Sequence, residues 1–384
     1  MSLVAIAEQL VPELAAARGE GDEARRLPDH VWKALLESGI LRSLQPARWG
    51  GGEVHLLEYV DAVMALSRVN PSAGWVVGVI GVHPWQLALF DERAQEAMWG
   101  TDPATMHSSS YMPTGKAERV EGGYKVSGRW SFSSGCDHCR GVMLGGVVRS
   151  AEAPPEVRSF LLLPGEYRIE DTWFTAGLKS TGSNDIVVDD VIVPEHRSQS
   201  HTDYGVGAAL PGQVLNDAPL YRLPFTVVFN LALVSSILGS AKGFIDAWVA
   251  ETRDRVAIAG VRLADDPLTQ RRLADALWDL DAATAVTRSA AQQMWDIAVA
   301  GGTPTMEERG RMRWDMVRGA DRVAEACADL FRVASGRTAF VDHPLHARFQ
   351  DLQAGMGHAF LVPDPLAKSV GGHLLGAENK GMLL

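Results

Sequence analysis

Eleven histidines are spread along the chain, and two of them interrupt apolar segments. His83 lies in Val82-His83-Pro84-Trp85, and His358 lies near the end of a helical stretch, Gly355-Met356-Gly357-His358-Ala359-Phe360. Histidine changes charge near neutral pH, so each is a candidate acid or base. A lone histidine on an apolar face is more often a satisfied core residue, and the residues alone leave both readings open. Cys136-Asp137-His138-Cys139 has a thiol-like spacing, but no second C-x-x-C supplies further zinc ligands and the segment sits among strands rather than at a strand-to-helix turn. It reads as structural, and no metal is expected.

Two polar stretches carry more chemistry. Arg129-Trp130-Ser131-Phe132-Ser133-Ser134-Gly135 alternates aromatics and hydroxyls at a strand end. Gly177-Leu178-Lys179-Ser180-Thr181-Gly182-Ser183-Asn184-Asp185 is a glycine-rich polar turn before a strand, able to offer N–H groups and hydroxyls to an anion or a polar ring edge. An ordinary hairpin with solvated hydroxyls explains it equally well. There is no G-x-x-x-x-G-K-[ST], no G-x-G-x-x-G between strand and helix, and no G-x-S-x-G. P-loop hydrolysis, Rossmann-type dinucleotide binding and the esterase elbow are therefore set aside.

The elements that must position these residues change character twice. Residues 1–102 read as helices: Pro28-Asp29, Asn70-Pro71-Ser72 and Asp91 are start signals. Residues 103–205 read as short strands, with Glu121-Gly122-Gly123 as a hairpin turn and Ile186–Val193 ending at Pro194. Residues 206–384 return to helical period, with starts expected at Pro224, Pro267, Pro304, Pro344 and Pro365. The class is α+β in the order α–β–α. The apolar run from Pro224 to Ile245 contains Asn230, Ser235, Ser236, Ser240 and Lys242, which favours a buried bundle helix over a membrane span.

Lys plus Arg number 36 against 47 Asp plus Glu, a formal net charge of −11, which argues against nucleic-acid and anionic-membrane partners. Three cysteines cannot build a disulfide framework, and the first residues carry acids without a basic leader, so a cytoplasmic location is expected. Long helices apolar on more than one face, Leu231–Ile245 and Leu273–Leu280, predict a homo-oligomer, with a tetramer expected.

Arg48-Trp49-Gly50-Gly51, the 177–185 turn and Asp189-Asp190-Val191-Ile192-Val193-Pro194, taken in α–β–α order, resemble the acyl-CoA dehydrogenase fold over essentially the whole chain. The resemblance implies a helical domain, a β-barrel domain and a C-terminal four-helix bundle. Gly81–Asp91, Ser108-Ser109-Ser110-Tyr111, Ser133–His138, Leu178–Asn184 and Asn216-Asp217-Ala218-Pro219 are more similar to the oxygenase components of two-component flavin-dependent phenol hydroxylases. That family includes the para-hydroxyphenylacetate and secosteroid A-ring hydroxylases.

The resemblance implies ortho-hydroxylation of a phenol with O2 and a reduced flavin, FMNH2 or FADH2, delivered by a separate NAD(P)H-dependent reductase. It places Ser134 at the flavin edge and His358 as the base for the phenolic proton. It gives flavin contacts to Ser109, Ser110, Phe132, Ser133, Lys179, Thr181 and Ser183, and to Arg255 on the first bundle helix, reaching a neighbouring subunit. It gives the substrate wall to His83, Trp85 and Tyr111. A dehydrogenase of this fold needs a carboxylate base, yet no acid occurs between Asp217 and Asp246 and no Glu between Glu325 and Glu378. Other chemistry on the fold, including S- or N-oxygenation, and a silent binding or scaffold member are the alternatives; Ser134, His358 and the flavin loop weigh against the last.

Overall fold

Capping explains where the first helices begin. Ser2 caps Leu3–Ala16 (α1), followed by Arg18–Ala24 (α2) and Asp29–Glu37 (α3). His55 caps Leu56–Val69 (α4), Asn70 caps Pro71–Leu87 (α5), and Asp91 caps Glu92–Trp99 (α6). The computed structural model describes residues 1–149, 154–206, 209–257 and 260–377. Helix α5 is buried on nearly every side, as its uniformly apolar sequence requires. Gly74 lets it approach α4 closely: a Cβ there would lie 2.0 Å from Ser67 Oγ.

The chain then turns to strands: Ser108–Val120 (β1), Gly123–Ser133 (β2), Val142–Val148 (β3), Glu156–Leu162 (β4), Arg168–Glu170 (β5), Asn184–Pro194 (β6) and Ser198–Ser200 (β7). They form a mixed sheet in the order β5-β6-β2-β1-β3-β4-β7. The β1–β3 pair is parallel and the others are antiparallel. The barrel-like domain of the resemblance is thus a seven-stranded sheet with β5 and β7 at its edges. Its core includes Tyr124, Val126, Trp130, Leu144, Phe160 and Ile186. A bulge in β2 between Trp130 and Ser133, with Phe132 at φ 68°, turns the strand end so that Phe132 points outward while Ser133 and Ser134 are buried.

His201–Val206 (α7) leads back to helices: Phe225–Thr252 (α8), Pro267–Val299 (α9), Met306–Arg332 (α10), Pro344–Met356 (α11) and Pro363–Leu374 (α12). Helix α8 is long and apolar enough to cross a membrane, but its most apolar window is 94% buried within the fold, so it is the core of the bundle. Three expected starts shift. Pro224 is the N-cap of α8 rather than its first residue. Thr305, not Pro304, caps α10, because Thr305 and Glu308 form a reciprocal capping box. Pro363, not Pro365, opens α12.

Candidate active site

Helix α5, the ends of β1 and β2, and the 177–184 turn bring two polar clusters together. In the first, Ser134 Oγ accepts from Trp75 Nε1 at 3.2 Å and lies 2.8 Å from Ser183 Oγ. Ser183 Oγ lies 2.6 Å from Thr181 Oγ1, which donates to Leu178 O at 2.8 Å. The turn is built by two left-handed residues, Leu178 at φ 50° and Gly182 at φ 53°, and Gly135 N–H ties it to β2 through Thr181 O at 2.8 Å. Phe132 stands at its mouth, 67% exposed, edge-on to Trp173.

In the second cluster, His83 Nδ1 is 2.7 Å from His107 O and His83 Nε2 is 2.9 Å from Ser109 Oγ. A carbonyl only accepts, so Nδ1 carries the hydrogen and Nε2 accepts from the serine hydroxyl. Burial pushes His83 down to about 4, which keeps it neutral. His107 stacks on His83 with ring centroids 5.2 Å apart, and burial holds it well below the usual histidine range. Tyr111 donates to Gln86 Oε1, and Gln86 Nε2 donates to Tyr204 OH at 3.3 Å.

Aromatic rings connect the clusters. Phe229 of α8 meets His83 at 6.1 Å, Tyr111 at 5.1 Å and Phe360 at 6.4 Å. Phe360 meets His358 at 6.0 Å, and His358 meets Trp75 at 5.9 Å. Phe360 is itself held by Asn230 Nδ2, which donates to its carbonyl at 2.7 Å, and by the Arg313 guanidinium over its ring.

Several expected roles change. His358 is not in a helix: it follows α11 and caps the 3-10 turn Ala359–Leu361. Its Nδ1 accepts from Phe360 N–H at 3.1 Å, so the neutral ring carries its hydrogen on Nε2 and presents a donor, not a lone pair. Burial pushes it down to about 4. To take up a proton at Nε2, His358 would have to give up the Phe360 N–H contact and carry its hydrogen on Nδ1 instead. Ser109 faces His83 rather than the Ser134 cluster. Ser110 Oγ donates to Ser131 O at 2.7 Å and Ser133 Oγ to Ser108 Oγ at 2.9 Å, so both hydroxyls are turned into the sheet. Trp85 stands behind the wall: its Nε1 donates to Leu220 O at 2.8 Å and its ring packs on Phe225.

Arg255 lies beyond the end of α8, in the segment before α9, where its guanidinium donates to Val333 O at 2.8 Å. Lys179 is half-buried and lines a small cavity of about 110 Å³ with Asp22, His346 and Asp351. Cys136 donates to Gly182 O at 3.5 Å, and burial pushes its thiol up to about 12, so it packs under the turn as a protonated side chain.

Trp75, Gln86, His107 and Phe229 were not singled out in the sequence. Trp75, His83 and Gln86 recur along one buried helix, and that spacing was the available signal for two of them. Phe229 is brought in by packing between distant elements, which no local pattern announces. A cavity of about 320 Å³ between Tyr204, Phe225, Arg222 and Arg309 touches neither Ser134 nor His358. Volume alone does not mark the site; the polar chemistry does.

Could this arrangement hold a flavin? Exposed Phe132 beside Trp173 offers an aromatic edge to a planar ring. The Ser134–Ser183–Thr181 hydroxyls and the turn's N–H groups offer donors and acceptors to its polar rim. The residues fit.

Comparison with known proteins agrees. Family models for the acyl-CoA dehydrogenase N-terminal and C-terminal domains match residues 4–106 and 231–363. The oxygenase subunit HsaA of a flavin-dependent monooxygenase from Mycobacterium tuberculosis is 39% identical, covering 98% of this chain and 95% of that one. The oxygenase component of an FADH2-dependent resorcinol hydroxylase from Rhizobium sp. is 31% identical over 94% and 90%. The crystal structure of 3-HSA hydroxylase from Rhodococcus sp. RHA1 superposes with a TM-score of 0.95 at 36% identity, covering 100% of this chain and 99% of that one. The chain belongs to the acyl-CoA dehydrogenase family and, within it, to the oxygenase subunits of flavin-dependent monooxygenases.

Proposed function

We propose that the protein is the oxygenase component that inserts one oxygen atom of O2 ortho to the hydroxyl of a phenol. Reduced flavin, FMNH2 or FADH2, comes from a separate NAD(P)H-dependent reductase, and the reaction runs in the cytoplasm. The observation that carries this reading is the Ser109–His83–His107 relay facing Tyr111 and Phe229, joined by rings to the Ser134 cluster. Names of relatives support it: one acts on resorcinol, itself a phenol, and both are oxygenase subunits or components.

Bound reduced flavin with O2 supplies an electrophilic oxygen atom. The chain must do the rest. Ser109 Oγ accepts the phenolic hydrogen while its own passes to His83 Nε2, and His107 O, which already accepts from Nδ1–H, steadies the imidazolium that results. Neutral at rest, His83 is free to accept a proton; the burial that holds it at about 4 weakens it as a base, and the phenolate formed beside it supports the charge it takes on. The flavin would be held by Ser134, Ser183, Thr181, Phe132 and Lys179. His358 adds a donor beside Trp75, and the apolar walls exclude water.

Mixing the purified protein with photoreduced FMN or FAD, O2 and a panel of phenols tests the proposal. Catechol formed in step with oxygen uptake supports it. Acyl-CoA bleaching of bound oxidised FAD, with no catechol, defeats it. Ser134→Ala removes a hydrogen bond worth about 1 kcal/mol, so the ratio of hydrogen peroxide to catechol should rise about five-fold. An unchanged ratio removes Ser134 from the flavin contacts.

The assembly is proposed to be a homotetramer. Leu277, Trp278 and Val286 of α9 remain exposed on a helix whose other side is packed in the bundle. Light scattering at micromolar concentration should give four times the chain mass, and a monomer would sink this.

A further inference from the structure

The 177–184 turn is strained, and one buried carboxylate reaches it from another domain. Leu178 is a branched residue in the left-handed region, where glycine is usual. Its N–H donates to Asp351 Oδ1 at 2.7 Å, while Asp351 Oδ2 accepts from Arg18 Nη2 at 2.6 Å. The backbone of α11 meets the turn directly: a Cβ on Gly177 would lie 2.0 Å from Gln350 O. Leu178 O in turn receives Thr181 Oγ1 and Trp173 Nε1, at 2.8 and 3.0 Å.

We propose that Asp351 is a positioning residue: its carboxylate clamps Leu178 in the left-handed conformation and so fixes where Thr181 and Ser183 stand beside Ser134. This rests on the reading of the turn as the flavin's seat. The clamp joins α2, the turn and α11, the helix that leads into His358.

A buried carboxylate here is costly. Burial pushes Asp351 up to about 6, and nearby Asp22 adds to that, against the opposing pull of Arg18, the Leu178 N–H and Arg348. Lys179 and His346 line the adjoining cavity. With the folded value above the ordinary 3.8, the stability gained by holding the proton is complete below that value and gone above about 6. At neutral pH the fold therefore bears the charge at some cost, in return for a charge-assisted bond to a strained residue.

Hydrogen exchange in the flavin-free protein reads the clamp directly. In Asp351→Ala, the 173–184 segment should exchange about ten-fold faster while α8 is unchanged, and affinity for reduced FMN or FAD should weaken about ten-fold. Asp351→Asn keeps a neutral acceptor and should fall between, with its difference from wild type narrowing as pH drops through about 6. Unchanged exchange, exchange raised equally in α8, or a looser turn with unchanged flavin affinity overturns the proposal. A wild-type chain that binds no reduced flavin defeats the flavin reading, whereas the exchange comparison still judges the clamp.

Discussion

His83→Ala is expected to keep reduced-flavin binding and oxygen uptake while hydroxylation at pH 7 falls by about 100- to 10,000-fold, the usual cost of losing a general base. Oxygen consumed would leave as hydrogen peroxide. A phenol ionises near pH 10, so the residual rate should climb with pH as the substrate sheds its proton unaided. Wild type should show no such climb: with His83 at about 4, the base is already neutral from about pH 5 upward. Ser109→Ala should share the direction with a smaller loss, because water can stand in for the hydroxyl between substrate and imidazole. Catechol and peroxide yields measured from pH 6 to 9.5 decide the matter. A variant as fast as wild type at pH 7, or a residual rate flat in pH, returns His83 to the ordinary role of a satisfied core histidine.

Much of this was legible in the residues, for reasons tied to particular elements. The α–β–α order followed from period alone, and the cap at Asn70 and the Glu121-Gly122 turn fell where turn and cap chemistry place them. Strand alternation puts Ser109 and Tyr111 on one face of β1 and Ser108 and Ser110 on the other, which explains why only Ser109 of the run reaches His83. Proton direction was not legible. It depends on His107 O facing one histidine and Phe360 N–H facing the other, contacts that exist only once helices, sheet and bundle have docked. For the same reason the resemblance named both histidines but carried no information on which ring nitrogen of each holds the hydrogen. Asp351 gave no signal at all, since its partners Arg18 and Leu178 are 333 and 173 residues away.

Replacing His358 therefore makes the sharper contrast. Its Nδ1 is committed to Phe360 N–H, which leaves Nε2–H as a fixed donor beside Trp75, the residue whose Nε1 donates to Ser134. In a water-poor site one such donor is worth about 1 to 3 kcal/mol, so His358→Ala should lower the catechol-to-peroxide ratio roughly 5- to 160-fold. Unlike the loss at His83, this loss should be the same at pH 7 and pH 9, because ionising the phenol does not replace a missing donor. His358→Gln, which keeps an N–H at about the same reach on a more flexible side chain, should recover part of the ratio. The two histidine variants thus differ in the shape of their pH profiles as well as in depth. If His358→Ala instead regains its rate as pH rises toward the phenol's own ionisation while His83→Ala does not, the roles are reversed and His358 is the base.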